Sequence, residues 1–456
     1  MTFTAELINL LPFLITLVAF MLGILSIFIK GRRAFNFSFV VLFAINALIS
    51  ILLLCNHASF TLSIFIVNAF SLLIFAIFSI FLMLISLASI KEEKPFMFLI
   101  SMVYIAVLLV AFSRYIITVA IGIEFSAISS VFLVLAGKSN REAAIKLFIM
   151  SAITISLIAM ALSILLAYNG TMQLVSLSIS SISSFLLFAM ILLAAALSID
   201  AAQFPFNLWI PDVYEGAPTN VTSLLASVSK GLPFVAILLI FSTLFIGYVS
   251  QYSQIFEIFA ILTMFFGNIV AIIQKNVKRM LAYSSISQAG YIMVGIAVAS
   301  TFGFSASIFQ LFSYGIMAIC AFSIVQVLEI RGIKSIDEYA GLNKRNGTAA
   351  FSLSISLLSM AGMPPLVGFA SKFFLFASAI DNGMILLAGL GILNSFISIY
   401  YYGNLISAIY EDKPQKRIAM PIEIKITALF CLLIAIVIGI YPYAFTEIAK
   451  IAISSI

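Results

Sequence analysis

The sequence predicts an all-α polytopic membrane protein, and three observations carry that prediction. Hydrophobic residues make up 64% of the 456-residue chain and charged residues only 9%, whereas a soluble domain carries roughly 25% charge. So much apolar side chain exceeds what one core can hide, because cores stop growing at about 250–300 residues. Most of the surface must therefore face lipid. Finally, the apolar residues fall into fourteen runs suited to a ~30 Å hydrocarbon core, which takes about 20 residues per helix. The alternating-polarity decamers of a membrane barrel are absent, which leaves helices.

The runs cover about 6–29, 35–55, 60–90, 95–112, 114–137, 142–168, 182–208, 218–249, 253–273, 277–299, 302–330, 348–380, 384–410 and 422–448. The first contains Glu6 and has neither a basic n-region nor a small-residue cleavage site, so it reads as a retained span. Loops after odd-numbered spans hold Lys30, Arg32 and Arg33; Lys91 and Lys94; Lys138 and Arg141; Lys275, Lys278 and Arg279; Arg331, Lys334, Lys344 and Arg345; and Lys413, Lys416 and Arg417. The opposite side has Arg114 and Lys450. By the positive-inside rule the odd-span loops are cytoplasmic and both termini lie outside the cell (plasma or inner) membrane. The net charge of +6 thus reads as topology. A nucleic-acid partner would need the cations clustered on one polar face.

Four charges do not fit this pattern. Glu124 lies in span 5, Asp200 in span 7, Lys230 in span 8 and Lys372 in span 12, each flanked by apolar stretches. An ionisable group at mid-bilayer costs about 2.5–3.5 kcal/mol on insertion scales. Two readings are open: a structural ion pair between helices, and an ion or proton path, which is the default hypothesis for buried charge at this depth. Glu142 and Lys146 are four apart near the start of span 6. Lys146 is either half of an ordinary surface pair or part of the path.

Two spans are interrupted. Span 7 runs into QFPFNLWIPDVYEGAP, with Pro205 and Pro211, and span 12 contains AGMPPLVGFASK, with Gly362, Pro364 and Pro365. A proline inside a helix removes a hydrogen bond, and backbone freed at membrane depth must line protein or water. Two interrupted spans, each near a buried charge, point to a transport site in an inverted-repeat protein. Their separation of five spans makes spans 4–8 and 9–13 the expected inverted five-helix repeats. The expected divisions are 1–112 for spans 1–4, 95–249 and 253–410 for the repeats, and 411–456 for the last span. In span 10, Ser284, Ser287, Gln288 and Tyr291 recur at i, i+3, i+4, i+7. They form one polar stripe that either holds water or glues helices together.

Several chemistries are excluded. Cys55, Cys320 and Cys431 are scattered and form no CxxC, and His57 is the lone histidine, which removes a multi-histidine metal site and a Ser-His-Asp triad. His57 reads as an interfacial residue. No soluble stretch is long enough to bind a nucleotide, flavin or iron–sulfur cluster, so no cofactor is expected in this chain.

The motifs resemble a known family. FPFNLWIPDVYEGAPTNVTSLLASVSKG looks like the signature of the antiporter-like subunits of respiratory complex I, and P-D-V-Y-x-G-A-P followed by S-K points to the branch homologous to mitochondrial subunit 2. QKNVKRMLAYSSISQAGYIMVG, GMPPLVGFASKFF, EAAIKLFIMSA and Tyr400-Tyr401-Tyr402 resemble further segments of that family, in the right order over about residues 120–405. The resemblance implies fourteen helices, two inverted repeats with broken helices 7 and 12, and protons carried along an axis of buried charges. Glu124, Lys230 and Lys372 match the family's span 5 glutamate, span 8 lysine and span 12 lysine. It further implies a membrane subunit of a proton-pumping oxidoreductase, with quinone and redox centres in partner subunits. The alternative is a free-standing Mrp-type cation/proton antiporter or solute carrier on the same fold.

This sequence departs from the family where Asp200 stands five residues before Pro205, a place usually held by lysine. Gln288 stands where histidine is frequent. Three outcomes are open at Asp200: a carboxyl pair with Glu124 sharing a proton, an ion pair to Lys230 or Lys146, and a site that keeps only a structural role. The sequence leaves the electron donor, the quinone, and the choice between H⁺ and Na⁺ undetermined.

Overall fold

The computed structural model describes residues 3–28, 32–92, 95–136, 141–174, 183–413 and 417–456. Lys30, Lys94, Lys138 and Lys416 of the topology argument lie outside them, as do the side chains of Glu6 and Arg32. In chain order the helices are α1 (Phe3–Ser26), α2 (Arg32–Cys55), α3 (Ala69–Ala88), α4 (Phe96–Ala111), α5 (Ile116–Ala136), α6 (Arg141–Asn169), α7 (Ser184–Asp200), α8 (Trp209–Gly216), α9 (Thr219–Leu224), α10 (Gly231–Thr243), α11 (Val249–Ile272), α12 (Val277–Val298), α13 (Thr301–Glu329), α14 (Leu342–Arg345), α15 (Gly347–Ala361), α16 (Val367–Asp381), α17 (Ile385–Tyr410), α18 (Ile422–Ile440) and α19 (Tyr443–Ile453). Among the described residues, eleven spans are long and apolar enough to cross a membrane, and α4, α7 and α15 are shorter apolar helices. Together they fall on the fourteen runs expected from the sequence.

Two boundaries differ from expectation. The third run does not begin as helix at residue 60. Residues Phe60–Leu62 (β1) and Phe65–Val67 (β2) form an antiparallel hairpin in which Phe60 faces Val67. Their aromatic and β-branched side chains suit a strand. Helix α3 starts only where Asn68 caps it, its side chain accepting from Ser71 N at 2.9 Å. The last run ends at Ile440, because Pro442 cannot continue a helix, and α19 is a separate element.

The chain forms two compact units. One comprises Met1–Ala201, Val228–Tyr252 and Ile448–Ile456; the other comprises Ala202–Ser227 and Ser253–Glu447. These units are defined by contact, which is a different matter from the internal repeats expected over 95–249 and 253–410.

In the first unit the buried hydroxyl of Tyr104 receives a bond from Asn46 Nδ2 (2.6 Å) and lies 2.9 Å from Ser79 Oγ, while its ring packs on Phe43 and Phe75. Such partners offset the cost of hiding polar groups in a lipid-facing fold. The chain end is tied down there: Asn68 Nδ2 donates to Ser455 O, and Phe70 N to Ser455 Oγ. On α6, Ile145, Phe148, Ile149 and Ile153 are exposed, an apolar face suited to acyl chains.

In the second unit α12 and α13 are buried over nearly their whole length and form its centre. Helices α15 and α16 meet at a close approach that only glycine permits. A Cβ on Gly368 would sit 1.8 Å from Ser359 O. Gly368→Ala should therefore push α16 off α15 and lower the stability of the purified protein by about 1–3 kcal/mol. An unchanged thermal melting curve would show that the contact is not tight in solution.

Candidate functional site

The second unit contains the break of the twelfth span. Helix α15 ends at Ala361, and Gly362 caps it with a left-handed φ of +93°, a conformation natural to glycine. In a continuous helix the carbonyls of Met360 and Ala361 would accept from the amides four residues on. Those positions are Pro364 and Pro365, which have no N–H. Two adjacent carbonyls are thereby stripped of their donors inside the membrane.

Lys372 supplies them. Its Nζ donates to Met360 O at 2.8 Å, Ala361 O at 3.3 Å and Ser395 Oγ at 3.0 Å, and it lies 4.2 Å from the centre of the Tyr291 ring. The side chain is 3% exposed. A desolvated cation over an aromatic face gains about 2 kcal/mol. The break is thus a cradle of backbone oxygens and one π face that accommodates a charge at depth.

A chain of amides and hydroxyls leads away from it. Gln288 Nε2 donates to Met360 O (3.1 Å), Gln310 Nε2 to Gln288 Oε1 (2.8 Å), and Ser371 Oγ to Gln310 Oε1 (2.7 Å). On the same face of α12, Ser284 bonds Tyr402. Tyr401 donates to Asn268, which in turn bonds Asn394. The Ser287 hydroxyl and the Tyr291 hydroxyl are buried without a protein partner. The stripe predicted on span 10 is thus partly interhelical glue and partly unsatisfied polar surface, and buried polar groups of the second kind are commonly met by ordered water. Gln310 and Ser371 were missed by the sequence reading, because single polar residues in apolar helices give no periodic signal. Of the three consecutive tyrosines, Tyr401 and Tyr402 are buried and Tyr400 is exposed.

The seventh span breaks at Ala202–Pro205. Ala202 is left-handed (φ +57°) and Phe204 N donates to Thr263 Oγ1 at 2.9 Å. Pro205 precedes the short turn Phe206–Leu208. Pro211, expected to break the helix as well, does not. It sits in the first turn of α8, where its missing N–H has no intrahelical partner to lose. The side-chain amides of Gln203 and Asn207 are fully buried and find no protein partner, a second pair that the sequence reading passed over.

In the first unit, Glu124 on α5 is half-buried and Asp200 closes α7. Asp200 Oδ1 accepts from Thr154 Oγ1 at 2.8 Å and lies within electrostatic reach of Glu124. Lys230, 2% exposed, stands at the start of α10 directly after a π-helical turn, Leu225–Ser229. Such turns often mark functional sites. Ser229 Oγ meets Ser130 Oγ of α5 at 2.9 Å. Lys146 makes the four-apart pair with Glu142 at 2.6 Å, its side chain 38% exposed. Among the described residues no group of three or more His, Cys, Asp or Glu side chains could hold a metal ion.

Lys278 and Arg279, two cations of the positive-inside pattern, also fasten the segment after the span 7 break. In the second unit, Lys278 Nζ donates to Ala217 O (2.6 Å) and to both Glu329 oxygens (3.2 and 3.1 Å), and Thr219 donates to the same carboxylate. Arg279 Nη1 bridges Asp212 (3.0 Å) and Glu215 (2.8 Å). Asn276 caps α12 by accepting from Lys278 N and Arg279 N. The acidic residues of PDVYEGAP are therefore anchors for the start of α12.

Residues 113–398 match the family model described as NADH:quinone oxidoreductase/Mrp antiporter, TM. NADH-quinone oxidoreductase subunit N of Desulforamulus reducens is 38% identical over 352 residues, 74% of this chain and 73% of that protein. The protein of the same name from Heliobacterium modesticaldum is 30% identical and aligns with 95% of this chain and 96% of its own. A chain of the Mrp complex from a Dietzia species superposes with a TM-score of 0.91 at 18% identity, covering 98% of this chain and 97% of that one, a likeness of fold alone.

Lys278→Met should lower stability by about 1–3 kcal/mol, less than the ~3–5 expected for breaking a fully buried pair, because the Glu329 side chain keeps 26% exposure. Lys278→Met combined with Glu329→Gln should recover part of the loss in thermal unfolding. A double variant no more stable than the single one would mean that the pair does not couple α12 to α13.

Proposed function

The chain belongs to the NADH:quinone oxidoreductase/Mrp antiporter transmembrane family, and from that premise we propose that it is the proton-translocating membrane subunit of a complex I-like NADH:quinone oxidoreductase. The observation that carries this reading is the Lys372 cradle, a cation buried at a broken helix and joined to a chain of buried polar side chains. Glu124 would be the entrance switch, Asp200 its partner beside the broken span, Lys230 the central carrier, and Lys372 the link toward the outer exit or a neighbouring subunit. Lys146 would stand beside the entrance. A lysine can take this part because its ammonium donates a proton and the amine left behind is a base. Coupling would be electrostatic, a charge moved near one residue altering the protonation of the next.

The same reading puts quinone and redox chemistry in partner subunits, both termini outside the cell membrane, and the inverted repeats at 95–249 and 253–410. The alternative is a free-standing cation/proton antiporter or solute carrier; a chain of an Mrp complex shares the fold, but two curated relatives at 38% and 30% identity bear the name of the oxidoreductase subunit. A stand-alone carrier would purify alone and exchange cations without a redox donor.

Lys230→Ala should abolish proton pumping by the complex in vesicles while electron transfer remains measurable. An unchanged proton-to-electron ratio would remove Lys230 from the path. Lys372→Met should lower that ratio and also the melting temperature, because the Met360 and Ala361 carbonyls lose their donor. Loss of stability alone, with normal pumping, would make Lys372 structural.

A further inference from the structure

Beside Lys372, within the second unit, a cavity of about 640 Å³ opens on the side of α16 and α17. Its walls are Phe369, Phe373, Phe376 and Phe396, and Asp381 stands at one end. Phe373 and Phe396 are 58% and 65% exposed. Phe376, at 9%, lies deep.

The polar groups at the deep end are already engaged. The three Lys372 donors are taken by Met360 O, Ala361 O and Ser395 Oγ, which is all that an ammonium has. Ser395 Oγ in turn donates to Ala361 O at 2.9 Å. An apolar occupant would lie against four rings and the lysine stem. Dimensions agree. Lys372 and Asp381 are nine residues apart on α16, about 13 Å at 1.5 Å per residue, close to one leaflet of a ~30 Å hydrocarbon core. The carboxylate of Asp381 is exposed at the mouth, where it would attract a cation and repel an anion.

We propose that this cavity holds one acyl chain of a membrane phospholipid whose headgroup carries an ammonium, with that ammonium at Asp381. The chain fills the side of the helix break and keeps the lysine stem dry on that face. This occupancy goes beyond the transport reading and stands whether or not Lys372 carries protons.

The test is photo-crosslinking in the intact complex. Phe376→p-benzoylphenylalanine should yield a lipid adduct, found by mass spectrometry, that survives detergent exchange. The same label at Phe430, 42% exposed on α18 and outside the cavity, should lose its adduct severalfold on exchange. An adduct to another polypeptide, or none at 376, overturns the proposal. Should the 376 variant fail to assemble, Phe373 at the rim takes the label under the same criteria. After delipidation, phosphatidylethanolamine should restore the adduct severalfold better than phosphatidylglycerol, and Asp381→Asn should remove the preference. Equal restoration by both lipids would overturn the headgroup assignment.

Discussion

Much of the second unit follows from one constraint: a backbone carbonyl inside a membrane cannot be left without a donor. Pro364 and Pro365 remove the donors of Met360 O and Ala361 O. The replacements come from three helices, as Lys372 of α16, Gln288 of α12 and Ser395 of α17. The break thus determines which helices must approach it, and it explains how a lysine can be buried without an acidic partner in its cradle. Four interactions shared among carbonyls, a hydroxyl and a π face stand in for hydration.

The first unit handles its charges differently. Asp200 ends a helix and draws a hydroxyl from Thr154. Lys230 follows a π turn, in which one residue is added to the helical repeat and the hydrogen-bond ladder is locally rearranged. In both units a buried charge therefore sits where regular backbone bonding is interrupted. Regular helix offers an ion nothing, since its amides and carbonyls are consumed by each other; an interruption releases them.

What was legible in the sequence follows from the same physics. Spans, breaks and buried charges announce themselves because the bilayer forbids most residue types, so exceptions stand out against a uniform background. Glu124, Asp200, Lys230 and Lys372 stand out in this way, as do the two proline pairs. Partners were less legible. Gln310 and Ser371 are ordinary residues until folding brings them beside Gln288. Lys278 and Arg279 read as loop charges because the positive-inside rule accounts for them fully, leaving no residual to signal their second task. Pro211 was misjudged because the first turn of a helix tolerates proline, and where a helix begins is the weakest feature of a sequence reading. The hairpin at 60–67 was hidden because aromatic and β-branched residues are as apolar as any span.

The substitution that distinguishes this chain from the family pattern also follows from these partners. A lysine at position 200 would face Glu124 as an ion pair; Asp200 instead brings a second carboxyl into the field of the first. In the structure the group that meets the Asp200 carboxylate is a neutral one, the Thr154 hydroxyl. A Glu–Lys pair opens by separating opposite charges, a mode that two carboxyl groups do not have. The departure at Asp200 therefore changes the chemistry of one position in the first unit and leaves the cradle around Lys372 in the second unit as it is.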